Sequence, residues 1–225
     1  QTKGVPGFKF LKDGKHYTRL EDERINKYDI TTGKQVDMLL DITTLKGKSG
    51  FNGNLSSYEF SKNEKKLLLR SDRKSIYRRS SEEYVHVYDF VTGSLRSVYE
   101  EDKIMNATLS PDASMVAYVW KNDLYYFDTN NGTTLPITSD GSKNAIINGS
   151  TDWVYEEEFS IVKAFWWSPD SRKIAYIRFD ESDVKEFTMT HHEGGLYPRY
   201  ETFKYPKVGQ ENSKVSVHMY NLKSE

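Results

Sequence analysis

The pattern of apolar and polar positions repeats four times along the chain. Residues 10–20, 60–70, 109–120 and 167–179 each open on an apolar or aromatic residue, pass through a short polar turn, and enter a run of alternating side chains. The turns centre on Asp13, Asn63, Asp112 and Asp170, each followed by a small or polar residue, as a tight connection between antiparallel strands requires. A second motif follows each copy, at 27–34, 87–94, 126–133 and 219–225. It reads as a strand running into a turn, and three of its four copies close on a glycine. The repeat interiors keep period two. From Ser114 to Trp120 there is no i, i+3, i+4 stripe, so the helical alternative fails.

The turn centres lie 50, 49 and 58 residues apart, close to the ~40–50 residues of a propeller repeat. The pattern predicts an all-β chain: a partial β-propeller of about four four-stranded blades, at approximately 8–50, 51–100, 101–150 and 160–225 of a single region 1–225. Departures from the period mark candidate sites, because long insertions on a rigid scaffold are where function concentrates. Blade two carries roughly ten extra residues around Arg73–Ser81. Blade four carries roughly thirty-five, from about Glu181 to Ser213. Four blades also leave a strand edge exposed at each end, so the chain is expected to be part of a larger protein.

Composition narrows the function classes. Mean hydropathy is −0.74, yet 14% of the 225 residues are aromatic, with 16 Tyr and 11 Phe. Such side chains suit a pleated surface. A net charge of −1 argues for neither nucleic acid nor a membrane surface as partner. The absence of cysteine removes disulfides, thiolate metal sites and a cysteine nucleophile. No apolar run reaches the ~18 residues of a membrane span. The first residue is Gln1 rather than Met, which fits a removed leader.

The chemistry concentrates at residues 152–158, where Asp152, Trp153, Val154 and Tyr155 precede Glu156, Glu157 and Glu158. Three adjacent carboxylates repel one another in any enclosed place, so the run either faces water or awaits a positively charged ligand. Asp152 or Thr151 is placed to cap a short helical turn carrying them; Trp153 and Tyr155 are expected to pack. His191, His192 and Glu193 offer little to a metal, because adjacent histidines on an extended segment point to opposite sides. Residues 47–50 lack phosphate-loop spacing. No metal and no cofactor is expected.

Residues 151–159, 165–184 and 205–222 closely resemble the dipeptidyl peptidase IV family of prolyl oligopeptidase-type enzymes, and weaker collinear likeness extends back to residue 8. The resemblance implies the first half of an eight-bladed propeller that sits over an α/β-hydrolase domain bearing a Ser-Asp-His triad. It implies release of N-terminal dipeptides with proline, or less strongly alanine, in second position. This chain contains no G-x-S-x-G elbow, and no catalytic residue is assigned within it. By the family pattern Glu157 and Glu158 grip the free amino terminus of a peptide substrate. Arg78, or its neighbour Arg79, donates to the substrate backbone carbonyl. Tyr77 stands where some members have tryptophan, and Asp152, Trp153, Tyr155 and Glu156 support the site. The segment Val184 to Lys207 resembles the arm through which members form homodimers, with Phe187, Leu196, Tyr197, Tyr200, Phe203 and Tyr205 as its interface. Other implied partners are peptide substrates and the C-terminal hydrolase domain of the same protein. The expected location is periplasmic or otherwise exported. Two other readings are a non-catalytic propeller used for protein interaction and a cytosolic aminopeptidase-like relative.

Overall fold

The repeated turn residues, three Asp and one Asn, shape the chain locally. In a computed structural model, which describes residues 8–222, each one caps its own turn. The side-chain oxygens of Asp13, Asn63, Asp112 and Asp170 accept the backbone N–H two residues on, at 2.8, 3.0, 3.0 and 3.1 Å. This side-chain imitation of a backbone turn is what Asp and Asn supply. In the second motif Gly33, Gly93 and Gly132 donate to the carbonyls of Asp29, Asp89 and Asp128 at 2.9, 2.8 and 2.9 Å. Their φ values of 65°, 68° and 81° lie in the left-handed region that glycine enters without steric cost.

The first sheet comprises β1 (Lys9–Phe10), β2 (His16–Glu21), β3 (Arg24–Asp29) and β4 (Gln35–Asp41), hydrogen-bonded in that order. The second holds β5 (Leu55–Phe60), β6 (Lys66–Ser75), β7 (Ser81–Asp89) and β8 (Leu95–Ser97), and the third β9 (Met105–Leu109), β10 (Met115–Trp120), β11 (Asp123–Asp128) and β12 (Thr134–Pro136). The extra residues of the second repeat lengthen one hairpin: β6 and β7 run 10 and 9 residues, where β2 and β3 run 6 each. Residues 76–80 turn between them, with Ile76 N–H donating to the Ser80 carbonyl at 2.9 Å.

The fourth sheet departs from the others. It contains β13 (Ile146–Asn148), β14 (Phe165–Trp167), β15 (Lys173–Asp180) and β18 (Lys214–Asn221). β13 pairs with one end of β15, Ile146 opposite Asp180, and β14 with the other, Phe165 opposite Tyr176. One strand position is therefore split, and the single α-helix among the described residues, α1 (Trp153–Phe159), lies in the chain between its halves. Repeat arithmetic assigned residues 101–150 to the third blade; Ile146–Asn148 instead pairs within the fourth sheet. The insertion after β15 forms a separate hairpin of β16 (Glu186–His191) and β17 (Arg199–Lys204), with Phe187 opposite Phe203.

These are the sheets of a partial β-propeller. Contacts divide the chain into two compact units. The first, with residues up to Lys74, 81–116 and 127–134, buries Ile25, Leu40, Ile42, Leu45, Phe51, Tyr58, Leu67, Leu69 and Leu95 together. Tyr58 shares a 2.7 Å hydrogen bond with Thr18 Oγ1, and burial pushes its phenol up to about 12. The second unit holds residues 75–80, 117–126 and 135 onward. There Ile147, Ala164 and Phe179 form a small core with Tyr155 and Ile177 packed against it, and that core carries α1.

Candidate functional site

A seven-residue helix is marginal unless its ends are tied, and α1 is tied at both. Asp152, with extended φ and ψ, is the N-cap: Oδ1 accepts from Tyr155 N–H at 2.9 Å and Oδ2 from Ser213 Oγ at 2.6 Å. Thr151 takes a different role, donating its hydroxyl to the Ile161 carbonyl at 2.7 Å. At the other end Ser160 adopts φ 58° and returns its N–H to the Tyr155 carbonyl. Tyr155 meets Phe179 edge-on at 4.8 Å and Trp153 lies 4.4 Å from Tyr205, so both aromatics pack.

The ~100° step between helical neighbours sends the three glutamates in different directions. Glu156 is buried, at 4% exposure. Its Oε1 accepts the N–H of Arg79 at 2.8 Å and of Ser80 at 2.9 Å, and its carbonyl accepts Arg79 Nε at 3.3 Å. Glu157 is half-buried and pairs with the exposed Arg78 guanidinium at 3.1 Å. Glu158 is exposed. The structure thus places Glu157, Glu158 and Arg78 within one unit, on α1 and on the 76–80 turn. The two arginines part company: Arg79 is engaged with the helix backbone, while Arg78 faces the carboxylate.

Tyr77 sits beside this group, its ring 6.4 Å from Phe203. Burial pushes its phenol above the usual tyrosine range, and the charges of Glu201, Glu181 and Glu156 add to the effect. Glu181 is a buried carboxylate that sequence reasoning missed. Burial and then the charge of Asp152 push it up to about 7, against the pull of Lys204. No motif marks it, because its burial comes from packing after β15.

The six apolar residues of the arm split into two groups. Leu196 and Tyr197 are 98% and 88% exposed, and Tyr200 is also largely free of cover. Phe187, Phe203 and Tyr205 instead contact one another, with ring centroids 5.7 to 6.2 Å apart. The latter three build the base of the hairpin, so the outward apolar surface is narrower than the sequence implies. His191 pairs with Glu201 at 3.0 Å and Glu193 with Arg199 at 3.1 Å. Among the described residues no group of three or more ligating side chains could hold a metal. No described helix is long and apolar enough to cross a membrane.

A family model described as "Dipeptidyl peptidase IV (DPP IV) N-terminal region" matches residues 61–225. Over 210 residues the chain is 32% identical to prolyl endopeptidase FAP of Mus musculus, an alignment covering 92% of this chain and 27% of that protein. It is 36% identical over 174 residues to dipeptidyl peptidase 4 of Felis catus, covering 74% and 22% respectively. The crystal structure of Porphyromonas gingivalis dipeptidyl peptidase 4 superposes with a TM-score of 0.87 at 39% identity, over 96% of this chain and 31% of that one. The chain thus spans between 22% and 31% of the length of these three proteins. With an all-β architecture of successive four-stranded antiparallel sheets, it belongs to the dipeptidyl peptidase IV family, as part of the N-terminal β-propeller region.

Proposed function

We propose that this chain is the substrate-recognition portion of a serine exopeptidase that releases Xaa-Pro, and less readily Xaa-Ala, dipeptides from free peptide N-termini. The observation that carries the reading is the 3.1 Å pairing of Arg78 with Glu157 on a helix whose next residue is the exposed Glu158. An α-ammonium offers three N–H donors and one positive charge, and two ionised carboxylates complement it with charge-assisted hydrogen bonds. A planar guanidinium beside them suits a backbone carbonyl one residue along. The Arg78–Glu157 pair has its arginine largely in water, where ion pairs are weak, of order 0–1 kcal/mol. An arriving amine can therefore share or displace it at little cost.

Holding the amine at one fixed distance from the nucleophile makes a peptidase count two residues. The nucleophile belongs to the hydrolase domain, supplied by the rest of the protein, and this chain alone is inactive. The exposed apolar tip at Leu196, Tyr197 and Tyr200 serves homodimer contact, and the protein is exported. The test is chromophore release from a Gly-Pro amide by the full-length protein. Glu157→Ala, Glu158→Ala and an N-acetylated substrate should each lose most activity, because each removes charge-assisted hydrogen bonds between the carboxylates and the substrate amine. Activity surviving both glutamate substitutions would return the pair to the status of solvated surface.

A further inference from the structure

Glu156 is the member of the glutamate run that neither faces solvent nor, in the reading above, meets substrate. The residue is 4% exposed, and its carboxylate spends one oxygen on two amides, Arg79 N–H at 2.8 Å and Ser80 N–H at 2.9 Å. The backbone carbonyl of the same residue takes Arg79 Nε at 3.3 Å. The turn closes on itself through Ile76 N–H to the Ser80 carbonyl at 2.9 Å and Tyr77 N–H to Ser80 Oγ at 3.2 Å. Arg78 stands at its tip with a side chain 69% exposed. Beyond one ion pair, the guanidinium is oriented by the backbone that carries it.

We propose that Glu156 is a positioning residue: by clamping the amides of Arg79 and Ser80 it holds the 76–80 turn on α1, so that Arg78, Glu157 and Glu158 form one rigid reader of amine and carbonyl. The proposal rests on the assignment of those three residues to substrate binding and deepens it. Hydrogen bonds to an ionised carboxylate are about twice as strong as neutral ones. Removing the acceptor leaves the buried Ser80 N–H and the part-buried Arg79 N–H unsatisfied, which the turn relieves by moving. Because Glu156 and Glu157 are consecutive on one helix, the same rigid element carries the clamp and the group that Arg78 faces.

The test uses the full-length enzyme and a Gly-Pro chromogenic amide. Wild type is compared with Glu156→Ala, Glu156→Gln, Arg78→Ala, Glu157→Ala and the Arg78→Ala/Glu156→Ala double variant, while hydrogen exchange is followed at the amides of residues 76–80. Glu156→Ala should raise KM roughly 10- to 100-fold with a much smaller change in kcat, and Glu156→Gln should raise it less. Exchange at Arg79 and Ser80 should quicken in both. The double variant should be no worse than Arg78→Ala alone, since the clamp acts through that arginine. Losses that multiply in the double variant, or a KM unmoved by Glu156→Gln and Glu156→Ala, overturn the proposal. Should Glu156→Ala fail to fold, Glu156→Gln, which keeps the side-chain shape and one oxygen, decides by the same comparison. A KM unmoved by both Arg78→Ala and Glu157→Ala sinks instead the assignment beneath it, and the proposal with it.

Discussion

The indole of Trp153 and the ring of Tyr205 lie 4.4 Å apart, joining the first residue of α1 to the end of the β16–β17 hairpin. Tyr205 N–H also donates to the Lys185 carbonyl at 2.9 Å, closing the hairpin at its base. Phe187 and Phe203 stand behind it. The helix that carries the glutamates is therefore buttressed by the root of the arm.

Tyr205→Ala should cost about 1–3 kcal/mol through lost ring contacts, while Tyr205→Phe should be near neutral. Denaturant midpoints provide the check. The alanine variant should also be cleaved faster by a protease within the hairpin. Equal cleavage rates in wild type and alanine variant would show that the ring contact does not hold the arm.

Asp152→Ala should destabilise by about 1 kcal/mol, the usual cost of an N-cap, with a further loss from Ser213, whose hydroxyl donates to the same carboxylate. Asp152→Asn keeps the capping oxygen and should recover most of it. Thr151→Ala should leave the cap intact, because its hydroxyl serves the Ile161 carbonyl. Thermal midpoints of the three variants separate these outcomes.

Glu181 and His86 give stability profiles of opposite slope. Glu181 is pushed up from 4.5 to about 7, so the folded chain binds its proton more tightly than the unfolded chain does. Stability from this group is complete below about pH 4.5 and is lost as pH rises through 7. Glu181→Gln should remove that decline and be the more stable protein near pH 8. An unchanged slope in urea midpoints would rule out this carboxylate as the cause.

His86 behaves in the opposite sense. Burial holds its imidazole below the ordinary value of 6.5, against the raising effect of the Ser49 carbonyl and Glu100. Its Nε2 lies 2.9 Å from that carbonyl. The folded chain resists protonation here, so stability is present above pH 6.5 and falls as pH drops below it. Just below pH 6.5 the two groups oppose each other, and the wild-type profile should be shallow there. Replacing His86 by Gln should expose the Glu181 slope in that window, read from the same urea midpoints.

The proposed homodimer contact predicts that full-length protein carrying Leu196→Asp and Tyr197→Asp is monomeric by light scattering where the wild type is dimeric, with little change in thermal midpoint, since both side chains are almost fully exposed. A dimer that persists would place the contact elsewhere.

Local chemistry was enough to read the repeats. An Asp or Asn that binds the amide two residues on and alternation with period two act within a few residues, so they show in the sequence of every copy, as the glycine that takes positive φ shows in three of the four. The helix around 152–158 was legible for the same reason, its cap lying three residues from the amide it holds. The fates of the glutamates were not. Glu156 is buried by amides 76 and 77 residues away, and only the folded chain brings that turn to α1 and separates Arg78 from Arg79. The split of one strand position into β13 and β14 was hidden too, because pairing to opposite ends of β15 is a matter of register between distant segments. Adjacent identical residues carry no local mark of which will be buried; the helical screw and the partner across it decide.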